Sequence, residues 1–240
     1  MRFCVATSVL IGYYVVGLFV LPSILRRALP TELVRKLQHV VYGASVFLML
    51  ETFGRPQAAI AAGAVLVLLG YPFLKVLDRL GWTRDVLVTR AGGGSELRRQ
   101  MLLVQGTFAI VLIVFWGALG DASRRWAAAA VMVWTVGDAA AALVGRAWGW
   151  HLVGGRWSGR GKTWEGVIAM TVGSWVAVAV TLGAYVGTSA LLAGVAATVI
   201  APAAAAAELF SRRGMDTVVV PMVATLLLLP FAYLHGAGIT

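Results

Sequence analysis

The sequence predicts an all-α fold: a polytopic transmembrane helical bundle of about eight spans, with both termini on the non-cytoplasmic side. Three observations predict it. Hydrophobic residues make up 60% of the chain and charged residues 12%, with a mean hydropathy of +0.86, far from a soluble globular composition. Apolar stretches of roughly 20 residues, the length that crosses a bilayer, recur along all 240 residues. The basic residues segregate into alternate loops between those stretches, as cytoplasmic retention of Lys and Arg requires.

The first stretch, Phe3–Leu25, is read as a span and not as a secretory signal. It is too long for a signal core, has only Arg2 before it, and ends in Arg26-Arg27 where a cleavage site would carry small residues. Leu37–Phe53 follows; it is the shortest and holds His39 and Glu51. Pro56–Leu74 is third. In YPFLKVLDRLGW, Phe73, Val76, Leu77 and Leu80 recur at helical spacing, which predicts a short helix continuing the third span or lying in the interface. The glycines of AGGGSELRRQ then break the helix before Met101–Leu119. Trp126–Val144, Trp164–Leu182, Thr188–Ala207 and Thr217–Leu234 complete the set. Residues 1–240 are read as one integral membrane catalytic domain.

Charge tests this count. The odd-numbered loops carry Arg26, Arg27, Arg35, Lys36, Lys75, Arg79, Arg84, Arg90, Arg98, Arg99, Arg146, Arg156, Arg160, Lys162, Arg212 and Arg213, sixteen of the 20 basic residues. The other side has Arg2, Arg55, Arg124 and Arg125. The asymmetry places loops 1, 3, 5 and 7 in the cytoplasm. In a bacterial cell the chain would lie in the inner membrane with its active site facing the cytoplasm. The net charge of +10 is then an attraction to anionic headgroups, not to nucleic acid. Cys4 is the one cysteine, which excludes an intrachain disulfide and leaves any metal to oxygen or histidine ligands.

Against this background Asp138 stands out. It lies in an alanine-rich span, where a carboxylate costs about 2.5–3.5 kcal/mol unless a cation, water or a basic side chain compensates it. The small residues around it, Gly137, Ala139 to Ala142 and Gly145, let neighbouring helices approach closely. A structural ion pair with an arginine is the alternative reading. Gly159-Arg160-Gly161-Lys162-Thr163 resembles a P-loop only superficially: the GxxxxGK[ST] pattern needs glycine where Arg156 stands, and a strand before it. What remains is a glycine turn leading into a helix N-terminus with Arg160 and Lys162 beside it, a cradle suited to phosphate. An ordinary basic loop is the bland alternative.

Glu165, in the first turn of the sixth span, is favoured there by the helix dipole, yet it also stands three residues from Lys162 and on the same membrane side as Asp138. Acids and bases converging on one face suit a Mg²⁺–nucleotide, with oxygens for the metal and cations for the phosphates. Arg35 and His39 share a helix face, where the histidine could contact phosphate or act as a base. Glu96 follows three glycines, and Glu208 and Asp216 flank Arg212-Arg213. Each of these acids alone is most simply a solvated charge.

The motifs RKLQH with Gly43 four residues later, GDAAAALVGRAWG and GKTWEG, in that order, resemble the membrane-embedded polyprenol kinase family, which includes dolichol, phytol and CTP-dependent diacylglycerol kinases. Its patterns R-K-x-x-H-x-x-x-G, D-A-x-A-x-x-x-G-[RK]-x-x-G and K-T-x-E-G fall on Arg35, Lys36, His39 and Gly43; on Asp138, Ala139, Gly145, Arg146 and Gly149; and on Lys162, Thr163, Glu165 and Gly166. Gly94 and Glu96 match a further segment more loosely. Towards the C-terminus Glu208 fits, and Asp216 precedes VVVP, but Thr217 stands where the family often has asparagine.

The resemblance implies a lipid-alcohol kinase that uses a nucleoside triphosphate, CTP in the best-known members. The expected catalytic residues are Asp138, Lys162, Glu165 and His39. Arg35, Lys36, Glu96, Arg146, Arg160, Gly161 and Thr163 would bind the nucleotide. Asp138, Glu165, Glu208 and Asp216 would hold Mg²⁺, with Asp138 as metal ligand or as base. A more distant resemblance to the CDP-diacylglycerol synthase group makes a cytidylyltransferase the alternative enzyme. An ion-coupled lipid transporter, with Asp138 as the coupling site, is the alternative of another class.

Overall fold

The structure, a computed structural model, describes residues 2–81, 93–154, 161–211 and 214–236; of these, the side chains of residues 2, 93, 94 and 96 are not described. Among the described residues the chain is almost entirely helical. It divides into two compact units, Met1–Ala109 and Ile110–Thr240.

In the first unit, α1 (Arg2–Val15) passes through a π-helical turn, Val16–Val20, into α2 (Leu21–Leu25). α3 (Thr31–Thr52), α4 (Pro56–Arg79) and α5 (Gly93–Leu112) follow, the last running into the second unit. The π turn brings Gly17 against α3 so closely that a Cβ there would stand 2.2 Å from Val41 Cγ1. Several polar side chains in this apolar setting are joined to one another. Tyr14 Oη and Ser45 Oγ are 2.7 Å apart, and Gln105 Nε2 donates to Tyr14 Oη at 3.0 Å.

Residues 71–79 of the segment YPFLKVLDRLGW are an unbroken continuation of α4, which ends at Arg79; this resolves one expectation in favour of span extension, and Trp82 lies outside the described residues. The inward residues of the segment are Leu74 and Leu77, packed with Met101, Phe19, Val67 and Leu97; Phe73, Val76 and Leu80 are exposed. Arg98 Nη1 meets Asp78 Oδ2 at 3.1 Å and ties α5 to the end of α4.

In the second unit a π turn, Ile113–Ala118, and a 3₁₀ turn, Asp121–Ser123, lead into α6 (Trp126–Trp148), α7 (Trp164–Val180), α8 (Ala190–Phe210) and α9 (Asp216–Gly236). These helices pack in a cycle: α6 on α7, α7 on α8, α8 on α9 and α9 back on α6. The residues Trp126–Val131 at the start of α6 are wholly buried. Small residues set the α6–α7 spacing. A Cβ on Gly137 would lie 2.3 Å from Ser174 Oγ, and one on Gly173 would lie 3.0 Å from Ala140 Cβ. At the N-terminal end of α6, Arg124 lies over the Trp116 ring at 5.7 Å and Arg125 over Tyr185 at 5.1 Å, the aromatic–cation pairing of a membrane interface.

Among the described residues seven helical segments are long and apolar enough to cross a membrane: Phe3–Leu25, Pro56–Arg79, Leu97–Ala118, Asp121–Trp148, Trp164–Val186, Ala190–Phe210 and Asp216–Gly236. They coincide with seven of the eight expected stretches. The remaining one, Leu37–Phe53, belongs to α3. At 22 residues that helix is about 33 Å long, enough to span. Glu32, Arg35, Lys36, His39 and Glu51 along it keep its composition from that of the other seven.

Candidate active site

α6 ends at Trp148, and Gly149 turns the chain out of the helix. Three residues later the backbone meets the segment that starts α7. Leu152 and Thr163 form an antiparallel bridge, Val153 N donates to Lys162 O at 2.9 Å, and Trp164 N donates to His151 O at 2.9 Å. This short ladder holds Lys162, Thr163 and Glu165 in register with the end of α6.

Thr163 is its pivot. Its hydroxyl caps α7, accepting from Gly166 N at 3.2 Å and satisfying one of the helix's unpaired N–H groups. Three motif glycines crowd that hydroxyl: a Cβ on Gly145, Gly149 or Gly166 would lie 3.0, 2.8 or 3.2 Å from Thr163 Oγ1. The spacing of these glycines is thus a packing requirement of this junction. Gly161 just before it has φ 82°, a left-handed conformation that favours glycine.

Two side-chain contacts flank the pivot, one a salt bridge and one a histidine–carboxylate hydrogen bond. Lys162 Nζ lies 2.9 Å from Glu208 Oε1 and also contacts the Glu208 carbonyl, which accepts from Ser211 Oγ at 2.8 Å as well. The lysine therefore caps the C-terminus of α8, where a cation is favoured by the helix dipole. On the other side His151 Nδ1 lies 2.6 Å from Glu165 Oε1, and His151 N also points at that carboxylate, 3.3 and 3.4 Å from its oxygens. The His151 side chain is 76% exposed and that of Glu165 24%.

Asp138 is half-buried. The level of Gly166 on α6 is set by Ala141, whose carbonyl a Cβ on Gly166 would approach to 3.1 Å. Asp138 is three residues below Ala141, about 4.5 Å along the axis. Arg146 is exposed near the end of the helix, and Asp216 is half-buried in the first turn of α9.

The chain is 31% identical over 211 residues to a protein described as phytol kinase from Synechocystis sp., a match that covers 85% of this chain and 82% of that protein. The chain belongs to the membrane polyprenol/phytol kinase family. No family model matches it, and no solved structure does.

The polyprenol/phytol kinase motifs are distributed over both units. Those of α6 and α7 converge in the second. The Arg35–His39 motif belongs to the first, near the start of α3. There Arg35 is paired with Glu32, its Nε donating to Glu32 Oε2 at 3.3 Å and its Nη2 contacting Oε1. Lys36 is only 4% exposed, and His39 is half-buried. Glu96 lies in the first turns of α5, and its side chain is not among those described. Arg160 lies outside the described residues.

Among the described residues no group of three or more His, Cys, Asp or Glu side chains is gathered as a metal shell. Of the four expected metal ligands, Glu165 contacts His151 and Glu208 contacts Lys162, while Asp138 lies on α6 and Asp216 in the first turn of α9. Mg²⁺ takes one or two carboxylates and completes its shell with water and phosphate oxygens, so it does not need three protein carboxylates gathered in advance.

His151 is the residue that motif reading did not reach. The signal was modest: it is one of three histidines in the chain and stands two residues beyond the last glycine of the Asp138 motif.

Proposed function

We propose that this chain is a lipid-alcohol kinase that moves the terminal phosphoryl group of CTP to the hydroxyl of a phytol-type isoprenoid alcohol at the cytoplasmic membrane face. The observation that carries the reading is the junction at Thr163, where the two most specific family motifs meet at one end of the α6–α7 pair in a chain similar to a phytol kinase.

In this reading the alcohol oxygen bonds to the γ-phosphorus while the bond from that phosphorus to the β-phosphate oxygen breaks, and CDP departs with the electron pair. Positioning and charge stabilisation supply most of the acceleration. Lys162, fixed by Glu208, and Arg146 carry positive charge to the phosphates. Asp138 and Asp216 would hold Mg²⁺, which when bound neutralises charge on the phosphate oxygens. The hydroxyl proton goes to His151. Glu165 accepts from Nδ1 and so leaves the Nε2 lone pair available. Histidine, which the sequence reading did not select here, thereby takes the role of base, and Asp138 keeps that of metal ligand.

The test is direct. Protein purified in detergent is incubated with Mg²⁺, γ-labelled CTP, ATP or UTP, and phytol, a short polyprenol or diacylglycerol. Label on phytol from CTP, steeply lowered in Asp138→Asn, is the expected result. Release of pyrophosphate from CTP and a lipid phosphate would replace the reading with a cytidylyltransferase. No transfer with any pair in folded protein would overturn it.

A further inference from the structure

A groove runs along the outer side of the α6–α7 seam, with a cavity of about 470 Å³. Ala140 and Val144 of α6 form one wall; Ile168, Ala169, Val172 and Gly173 of α7 form the other. Only one lining residue is charged, Glu165 at the polar end. Residues 165, 168, 169, 172 and 173 share a helix face, so the groove descends eight residues below the carboxylate, about 12 Å. Its floor is shallow in side chains because Gly173 has none and a Cβ there would stand 3.0 Å from Ala140 Cβ. Ile168 and Val172 are exposed along its rim, open to the side where hydrocarbon would lie. Asp138 is two residues from Ala140, about 200° around α6, and therefore on the flank away from the groove.

The geometry points to this groove as the seat of the acceptor's hydrocarbon tail, admitting a single isoprenoid chain and not the paired chains of diacylglycerol. The inference rests on the lipid-alcohol reading above and adds where the tail lies and which class of tail fits. Three features select the occupant. The groove begins at the Glu165–His151 pair, so a chain within it presents its head to that pair. The head must be uncharged, because an anionic phosphate of a bulk lipid would meet the Glu165 carboxylate, whereas a hydroxyl can hydrogen-bond to the pair. Finally, the groove is one interhelical seam, floored by alanine and glycine, which leaves room for branch methyls along one chain but offers no second channel. Phosphorylation then places negative charge beside Glu165, which favours release of the product.

The test uses the full chain reconstituted in phosphatidylcholine vesicles with a phytol analogue bearing a photoreactive diazirine on its tail. The expected result is label on residues 140–144 of α6 or 165–173 of α7, competed by phytol and not by diacylglycerol. Label on other helices, or label in the groove that phytol does not displace, overturns the inference; the latter would mark ordinary membrane lipid. Ala169→Phe supplies a kinetic arm, with Val199→Phe on the exposed side of α8 as a control of equal bulk. Ala169→Phe should raise the ratio of KM for phytol to KM for a five-carbon prenyl alcohol about tenfold, and an unchanged ratio overturns the inference. Labelling does not depend on turnover. Competed label without phosphoryl transfer would retain the groove and remove the kinase reading, whereas transfer with label elsewhere would do the reverse.

Discussion

His151 Nδ1 lies 2.6 Å from Glu165 Oε1, a contact between the segment just beyond α6 and the first turn of α7. The short ladder that pairs His151–Val153 with Lys162–Trp164 brings the two side chains together. If Glu165 orients His151 as a base, His151→Gln should lower kcat by about 10²–10⁴ with little change in the KM for nucleotide. Glu165→Gln should lower it less, and the double variant should be no worse than His151→Gln, because groups acting as one unit are not additive. Additive losses in initial-rate assays would argue for separate roles.

Gly149 predicts a stability effect. Its φ of −80° is ordinary, so alanine there is not strained by backbone; the obstacle is space. A Cβ would lie 2.0 Å from the Gly145 carbonyl oxygen and 2.7 Å from Thr163 Cγ2. Gly149→Ala should cost about 1–3 kcal/mol, read as a lowered Tm in detergent. Gly154, whose Cβ would meet nothing within 4 Å, should accept alanine without such a shift.

The Lys162–Glu208 pair separates structural from chemical roles. Lys162→Met should lower both Tm and activity, since it removes a partner from a half-buried carboxylate. The exchange Lys162→Glu with Glu208→Lys should recover part of the lost Tm. Activity should stay low if the positive charge must stand at the turn before α7 to meet phosphate. Recovery of both in the exchange variant would assign Lys162 to packing alone.

Asp138→Asn should lower transfer steeply at ordinary Mg²⁺ and leave a residual rate that rises as Mg²⁺ is increased, because a neutral amide is a weaker ligand. A Mg²⁺ titration of initial rate checks this. A variant with wild-type Mg²⁺ dependence would remove Asp138 from the metal.

Topology can be read from the one cysteine. Cys4 is exposed near the start of α1. By the sixteen-to-four distribution of basic residues it should react with a membrane-impermeant maleimide from the non-cytoplasmic side, and not in inverted vesicles. The reverse labelling would invert the orientation.

Much of this arrangement is legible in the sequence, for identifiable reasons. Seven of the eight expected stretches coincide with helices, among the described residues, that are long and apolar enough to cross a membrane, because long apolar runs carry a strong signal. The true start of α3 at Thr31 is hidden because Glu32, Arg35 and Lys36 interrupt the apolar run, although Arg35 and Glu32 support the helix as an i, i+3 pair. Asp138, Lys162 and Glu165 are conspicuous as charges in an apolar chain. What they touch is not: the ladder that brings His151 to Glu165 involves three residues on each side, too few for any periodic pattern. The glycines of the motifs also read two ways, as a phosphate turn or as close packing. Only the crowding around Thr163 distinguishes the second for Gly145, Gly149 and Gly166.

The ladder between His151–Val153 and Lys162–Trp164 has a consequence for how such a chain can vary. It closes the base of the connection between α6 and α7, so the reactive side chains take their positions from the base and not from what lies beyond it. The number of residues between Val153 and Arg160 is thereby decoupled from the backbone register of Lys162 and Glu165. An epitope, a fluorophore acceptor or a foreign domain inserted there would have its movements insulated from the chemistry. The same decoupling gives an engineer a handle that reports on this end of the bundle without entering it.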